Sequence, residues 1–256
     1  MNVHSARELD ARTAVVTGSS GGIGRAIALE LARAGAAVVV HARRSEEAAQ
    51  GVAGEIRELA AEATVLMADL ADPRQHESLV DEAWHWRSGV DIWVNNAGAD
   101  VLTGSSAGWS FERKLEELWR VDAMAAIRLA RLVGRRMKQR GSGVILNMGW
   151  DGADRGMAGE SGELFAAAKG AVMAFSRSLA RSLAPEVRVN CLAPGWIKTG
   201  WGSRASEYWQ ERAQRESALG RWGTPEDVAR VARFLVSPAA AFVTGQVVCV
   251  NGGFAG

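Results

Sequence analysis

The stretch Thr17-Gly18-Ser19-Ser20-Gly21-Gly22-Ile23-Gly24 decides the fold, because it joins a short β-branched run to a helical pattern over Gly24–Ala34. Glycines permit a tight turn and a close approach of the backbone to a pyrophosphate, and the helix N-terminus supplies free N–H groups. Glycine also serves ordinary turns, so the cluster alone is weak support. The strand–turn–helix context is what the motif requires, and the stretch therefore predicts a dinucleotide site.

Along the rest of the chain, short apolar runs alternate with longer helical patterns. Strands that are apolar on both faces and separated by helices indicate a parallel sheet covered on both sides. The predicted strands are Thr13–Thr17, Ala36–His41, Thr64–Ala68, Asp91–Asn95, Gly143–Met148, Arg188–Leu192 and Gln246–Val250. The helical patterns include Gly24–Ala34, Arg74–Trp86, Phe111–Arg140, Leu164–Leu183 and Pro225–Leu235. We expect an α/β protein with a doubly wound parallel sheet of about seven strands, in one domain over residues 1–256.

Two helix starts and one long loop are also predicted. Asp72-Pro73 and Thr224-Pro225 each place a capping side chain before a proline at the first helical position. Trp196–Arg221 shows no clear pattern and follows a strand end, where ligands bind in α/β folds. We expect a substrate-covering loop around residues 196–221.

Composition excludes several classes of function. Thirty lysines and arginines oppose 29 acidic residues, so no global basic field attracts nucleic acid or an acidic membrane. No stretch approaches the roughly 20 consecutive apolar residues that span a bilayer, and Met1–Asp10 lacks the apolar stretch of a secretory signal. We expect a cytoplasmic protein that acts on a small molecule.

Cys191 and Cys249 lie in apolar, strand-like runs. We expect two reduced and buried thiols, since a disulfide or a metal site would need other spacing and clustered histidines. No metal site is predicted.

The end of the second strand selects the dinucleotide. An acid there would bind the adenosine 2′-hydroxyl of NAD, but this segment ends in Arg43 and Arg44. Guanidinium groups suit a 2′-phosphate, so NADP(H) is favoured over NAD(H). The alternative is a solvated basic loop.

Further motifs follow the glycine turn in a characteristic order. They are Asp69-Leu70, Asn95-Asn96-Ala97-Gly98, Pro194-Gly195 with Thr199, and the ending Val243-Thr244-Gly245-Gln246 through Asn251-Gly252-Gly253. Together they resemble the short-chain dehydrogenase/reductase family, close in pattern to 3-oxoacyl-carrier-protein reductases, over essentially the whole length. The resemblance implies a Rossmann-type fold and a homotetramer or homodimer.

The resemblance also assigns the dinucleotide contacts. Besides Arg43 and Arg44 they are Gly18, Ser19, Ser20, Gly22, Ile23, Gly24, Asp69, Leu70, Asn96, Ala97, Gly98, Lys169, Pro194, Gly195, Ile197 and Thr199. Many NADP-preferring relatives carry a basic residue at the position of Gly21, so here the two arginines must hold the phosphate without it.

The catalytic positions depart from the family pattern. The family uses a tyrosine four residues before a lysine, a spacing that puts both side chains on one helix face. Here Lys169 is kept, but the tyrosine position is Phe165, the serine position is Trp150 and the asparagine position is Asp122. The only tyrosine, Tyr208, lies far from that position in the chain.

Carboxylates are the remaining candidates for proton transfer. Asp122, Asp151, Asp154, Glu160 and Glu163 are predicted in or beside the cleft. Asp151 adjoins the vacated serine position and is the first candidate for an acid or base, with a solvated loop acid or a helix cap as the alternative. Asp122 is expected to form an ion pair with Lys169, which keeps that lysine for ribose binding.

Tryptophans are predicted around the substrate. We place Trp150, Phe165, Trp196 and Trp201 in the pocket, with Trp209 nearby, which suggests a flat or apolar substrate.

Three functions remain open. One is an NADP(H)-dependent oxidoreductase with non-standard proton delivery, acting on a small apolar or aromatic carbonyl or imine. The others are a non-redox isomerase or lyase that uses the carboxylates, and a cofactor-binding protein without catalysis.

Overall fold

A computed structural model describes residues 7–200, 202 and 205–253. Its seven strands form one parallel sheet in the order β3-β2-β1-β4-β5-β6-β7. They are β1 (Thr13–Val16), β2 (Ala37–Ala42), β3 (Ala63–Met67), β4 (Ile92–Asn95), β5 (Gly143–Met148), β6 (Val187–Pro194) and β7 (Val247–Val250). The predicted seven-stranded, Rossmann-type α/β sheet is confirmed.

Helices cover both faces of this sheet. They are α1 (Gly22–Arg33), α2 (Glu46–Glu58), α3 (Gln75–Trp86), α4 (Phe111–Leu118), α5 (Ala126–Arg140), α6 (Gly152–Arg155), α7 (Glu160–Leu183), α8 (Glu207–Glu216) and α9 (Pro225–Val236). One core contains side chains of α1, α2 and α9, and the other contains side chains of α3, α5 and α7. Alternate residues of one strand enter opposite cores, as Val15 and Val16 of β1 do.

The strand order reverses between β1 and β4, and a ligand crevice opens at such a switch point. The glycine turn leaves the carboxyl end of β1, and Asn96-Ala97-Gly98 leaves the end of β4. The two strands pair in parallel, Val16 beside Val94, so both motifs meet at one edge of the sheet.

Three local predictions are wrong. The helix after Asp72-Pro73 begins at Gln75, because Asp72 accepts the Arg74 N–H (3.0 Å) in a turn before the helix. The segment 196–221 contains α8, whose polar sequence buries only Ala213. Cys191 is buried as expected, but Cys249 is exposed on the edge strand β7.

The long helix predicted over Phe111–Arg140 is interrupted. Trp119–Ala125 has the wider π geometry between α4 and α5. Such segments are often found at functional sites, and this one carries Asp122. None of the helices in the described part of the chain is long and apolar enough to cross a membrane.

Candidate active site

The glycine turn is built for contact with another backbone or a phosphate. Gly18 has φ +64°, and a Cβ there would lie 2.8 Å from the Ala97 Cα. A Cβ at Gly24 would lie 2.3 Å from the Gly18 carbonyl oxygen and 2.4 Å from Asn96 Nδ2. Around Gly21 and Gly22, in contrast, the nearest atom to such a Cβ is 3.9 Å away, so the outer side of the turn faces open space.

Hydrogen bonds lock the turn to the end of β4. Thr17 Oγ1 accepts the N–H groups of Asn96 (2.9 Å) and Ala97 (3.0 Å). Asn96 Nδ2 donates to the carbonyls of Thr17 (2.9 Å) and Gly18 (3.2 Å). The Asn-Asn-Ala-Gly motif therefore sets the position of the turn, while Asn96 also lines the crevice.

A groove of about 1350 Å³ runs along these two motifs. Among the predicted dinucleotide contacts it is lined by Gly18, Ser20, Gly22, Arg43, Arg44, Asp69, Leu70, Asn96, Ala97, Gly98 and Thr199. Its size, its backbone-rich wall and the open outer face of the turn fit an extended dinucleotide. Lys169, Ile23, Pro194, Gly195 and Ile197 line the adjoining pocket described below.

Ser19 and Gly24 act inside the turn. Ser19 is fully buried, and its hydroxyl donates to the Val16 carbonyl (2.7 Å) and accepts the His41 N–H (3.0 Å). Gly24 is needed because α1 passes directly beneath the Gly18 carbonyl. Ser19 and Gly24 therefore support the turn and do not line the groove, a difference that the motif pattern alone does not show.

At the outer end of the groove, Arg43 and Arg44 are exposed. Arg43 Nη1 lies 3.6 Å from Glu117 Oε1 of α4, so its guanidinium reaches across the groove mouth. Arg44 sits beside it at the exit of β2. Both guanidinium groups are placed where a phosphate in the groove can meet them.

An apolar pocket of about 470 Å³ adjoins the groove, and Asn96, Leu102, Phe165 and Thr199 line both. Trp150 meets Phe165 edge-on, with ring centroids 6.4 Å apart. Trp196 contacts Trp209 (5.6 Å) and Trp222 (6.0 Å). The predicted pocket residues Trp150, Phe165 and Trp196 are thus brought together, while Trp201 lies outside the described residues. Trp222, which the sequence had not singled out, completes the wall.

Lys169 is held by Asp122. Lys169 Nζ lies 2.8 Å from Asp122 Oδ2, and the two side chains are 11% and 3% exposed. Asp122 Oδ1 accepts the Ala99 N–H (2.8 Å), and a Cβ on Gly98 would lie 2.8 Å from Oδ2. Gly98 therefore leaves room for the carboxylate, and the expected ion pair is present.

Asp151 does not line the pocket. Its side chain is 7% exposed, pairs with Arg155 and accepts the Asn251 amide N–H (3.0 Å). The alternative of a solvated loop acid is wrong, because these partners bury the carboxylate at the ends of β6 and β7. Its position likewise gives no support to a role as acid or base on a substrate.

The other acids expected near the cleft also lie outside the pocket lining. Glu160 forms an ion pair with Lys114 (2.9 Å), while Asp154 and Glu163 are exposed. No group of three or more potential metal ligands occurs within residues 7–200, 202 and 205–253.

Comparisons with known proteins agree with this geometry. The family model described as enoyl-(acyl carrier protein) reductase matches residues 18–255. The 3-oxoacyl-[acyl-carrier-protein] reductase FabG of Aquifex aeolicus is 34% identical over 96% of this chain and 98% of its own length. The chain belongs to the short-chain dehydrogenase/reductase family.

Solved members of this family share the fold. A 7α-hydroxysteroid dehydrogenase, determined with NADH and 7-oxo glycochenodeoxycholic acid, superposes with a TM-score of 0.89. It is 31% identical and is matched over 99% of this chain and 98% of its own. A short-chain dehydrogenase from Burkholderia cenocepacia, solved with NADP, gives a TM-score of 0.86 at 32% identity, over 96% of this chain and 98% of its own.

The short-chain dehydrogenases are oxidoreductases, and in this member the glycine turn and Asn96-Ala97-Gly98 line one groove that fits a dinucleotide. Phe165 and Lys169 are four residues apart on α7 and both line the pocket, so the phenyl ring lies one turn before the lysine on the same helix face.

Proposed function

We propose that this protein is an NADP(H)-dependent oxidoreductase for a small apolar or aromatic carbonyl or imine, and that it takes no proton from a tyrosine. The observation that carries the proposal is Phe165 in the pocket, beside a Lys169 whose charge is matched by Asp122. A phenyl ring has no proton to give. The substrate must therefore accept a hydride without that donor, or take its proton from water.

The cofactor preference rests on Arg43 and Arg44. They line the groove where the family places the adenosine ribose, and β2 ends without an acid. NADP(H), when bound, supplies or accepts the hydride, and the chain positions it through the glycine turn, Lys169 and the segment from Pro194 to Thr199. The affinity ratio for NADPH over NADH tests this preference. It should fall at least tenfold in an Arg43→Ala/Arg44→Ala variant, and tighter binding of NADH by the unchanged protein would contradict it.

The pocket favours an iminium over a ketone. Apart from the indoles, its described polar side chains are those of Asn96, Ser161, Lys169 and Thr199, and none is a carboxylic acid or a phenol. Aromatic faces attract organic cations, and the Lys169–Asp122 pair is neutral as a whole. An iminium carbon accepts hydride and yields a neutral amine with no proton added.

Two probes of equal size separate these chemistries. N-Methyl-3,4-dihydroisoquinolinium needs only a hydride, while 1-tetralone needs a hydride and a proton. With purified protein, NADPH oxidation at 340 nm should be at least 100-fold faster with the iminium, as corrected for the uncatalysed reaction. Faster reduction of the ketone would overturn the proposal. NADPH binding without turnover of either probe would favour a cofactor-binding protein without catalysis.

We further propose a single domain over residues 1–256 and a segment 196–221 that covers the substrate.

We also propose that the chain forms a homotetramer or homodimer. Trp119 is 43% exposed beside α4, and Phe242, before β7, is fully exposed. Large apolar side chains in such positions suit a contact between copies. Light scattering of the purified protein tests this, and a monomer at micromolar concentration would exclude both assemblies. A cytoplasmic location stays a prediction.

A further inference from the structure

A buried histidine stands beneath the glycine turn, and the proposed reaction does not use it. His41 lies near the end of β2, is 2% exposed and borders the dinucleotide groove. Neither the glycine motif nor the catalytic pattern includes this position. Its contacts are with the two segments that flank the adenine half of the groove.

The hydrogen bonds of His41 fix its tautomer. A backbone N–H can only donate, so His41 Nδ1 accepts the Gly18 N–H (3.0 Å). The proton of the neutral ring then resides on Nε2, which donates to the Ala68 carbonyl (3.2 Å). Two further hydrogen bonds join the backbone of His41 to Ser19. The His41 N–H donates to Ser19 Oγ (3.0 Å), and the His41 carbonyl accepts the Ser19 N–H (2.9 Å).

These bonds make His41 one half of a clamp on Gly18. Its ring holds the Gly18 N–H, while Asn96 holds the Gly18 carbonyl from the other side. The second ring nitrogen binds Ala68, the residue before Asp69 and Leu70 of the groove wall. One side chain therefore ties the phosphate-binding turn to the opposite wall of the adenine site.

We propose that His41 is a positioning residue for the dinucleotide, whose neutral ring holds the glycine turn and the end of β3 at the spacing that the adenine half requires. The role needs one acceptor and one donor at fixed positions. An imidazolium would present Nδ1–H to the Gly18 N–H, and the two donors would repel each other. The clamp is therefore intact only while the ring is neutral.

The surroundings keep the ring neutral near physiological pH. Asp69, two residues after β3, is the carboxylate that acts on His41 and favours its charged form, while Arg43 and Arg44 follow His41 on its own chain segment. The glycine turn contributes no charged side chain. Burial outweighs both the hydrogen bond to the Ala68 carbonyl and the charge of Asp69, and it lowers the pKa of His41 to about 4.

Three substitutions separate the two contacts. The Asn side-chain oxygen overlays Nδ1, so His41→Asn can still accept the Gly18 N–H. The Gln amide overlays Nε2, so His41→Gln can still donate to Ala68, and His41→Leu does neither. Affinity is measured from quenching of tryptophan fluorescence, with NADPH and with 2′-phospho-ADP-ribose as the adenine-side probe, after circular dichroism has confirmed folding.

We expect His41→Leu to bind both probes at least tenfold more weakly than the unchanged protein, and His41→Asn and His41→Gln, which each keep one of the two contacts, to lose less than His41→Leu. Equal losses on NADPH and on the fragment show that the adenine half is affected. The proposal is overturned if His41→Asn loses as much as His41→Leu, if none of the variants changes affinity, or if the unchanged protein binds no dinucleotide.

A pH series tests the same role even where a variant folds poorly. Between pH 7 and pH 4, affinity of the unchanged protein for the fragment should fall about twofold more than that of His41→Asn, because a ring with a pKa of about 4 is half protonated at pH 4. The fragment and every other ionisable side chain are the same in both proteins, so the difference reports on position 41 alone. Parallel curves would overturn the proposal. No substrate enters these measurements, so their outcome is independent of the reaction proposed above.

Discussion

Replacing Asp122 by alanine should show how much the fold depends on the buried ion pair with Lys169. The pair joins atoms 2.8 Å apart, and its side chains are 3% and 11% exposed. Removal of one partner of such a pair leaves an uncompensated charge and costs about 3–5 kcal/mol. Asp122→Ala also leaves the Ala99 N–H without its acceptor. We therefore expect the free energy of unfolding to fall by about 4 kcal/mol.

Two companion variants assign this loss to the charge. Asp122→Asn keeps an acceptor for the Ala99 N–H and removes only the negative charge, so it should lose less than Asp122→Ala. The double variant Asp122→Ala/Lys169→Met removes both charges and should regain most of the stability, because an apolar replacement of a buried pair is often neutral.

Urea unfolding, followed by tryptophan fluorescence and by circular dichroism, gives these free energies. For a chain of this length, 4 kcal/mol corresponds to a drop in Tm of roughly 10 °C. A loss below about 1 kcal/mol for Asp122→Ala would show that the pair behaves like an exposed one. Additive losses in the double variant would show that the two charges do not stabilise each other. Either result would refute the reasoning.

Three further predictions concern the cofactor turn, a helix cap and pH. Gly24→Ala should weaken NADPH binding at least tenfold, because its Cβ would lie 2.3 Å from the Gly18 carbonyl oxygen. The control variant Gly21→Ala should bind NADPH normally, because its Cβ would meet open space. Fluorescence titration compares the two affinities. Thr224→Ala removes the acceptor of the capping box on α9 and should cost about 1 kcal/mol in urea unfolding. His41 has a pKa lowered by burial from 6.5 to about 4, so the unfolded chain binds its proton more readily. The contribution of neutral His41 to the free energy of unfolding is complete above pH 6.5, and about 3 kcal/mol of it is lost as the pH falls towards 4. In unfolding experiments from pH 7 to 4, His41→Asn should therefore lack this decrease in the free energy of unfolding.

The sheet was predictable because its strands carry an unambiguous pattern. All seven predicted runs are strands, and Gly143–Met148 has the predicted bounds. Short apolar runs rich in β-branched residues, when they lie between helices, are typical of buried strands. Helix α8 was missed because its sequence, Glu207–Glu216, is polar and buries only Ala213, so no apolar stripe marks it. The π segment inside the long helix leaves no local signal of that kind either.

The site was predictable where chemistry follows local motifs. The glycine turn and the Lys169–Asp122 pair were expected from spacing and family pattern. The burial of Asp151 was not predictable, because one partner, Asn251, lies 100 residues away and reaches it only through the order of β5, β6 and β7. His41 escaped notice because its role depends on how β2 aligns beside β1 and β3, which the sequence does not state.

Phe165 and Asp122, which the family resemblance assigns to two catalytic positions, are chemically consistent with each other, and this leads to a last prediction. In the family a lysine cation lowers the pKa of the tyrosine, whose phenolate it stabilises. With Phe165 there is no phenolate, and a lysine only 11% exposed would lack an anion if Asp122 did not provide one.

Phe165→Tyr alone should therefore gain little activity in 1-tetralone reduction, because Lys169 is already paired with Asp122. The double variant Phe165→Tyr/Asp122→Asn frees Lys169 to act on the new phenol and should exceed Phe165→Tyr at least tenfold in kcat. When the double variant is assayed in the direction of alcohol oxidation, its activity should rise with pH, because the ionised phenol acts as the base. If the double variant were no faster than Phe165→Tyr, the carboxylate would not be what holds Lys169 back from acid–base chemistry.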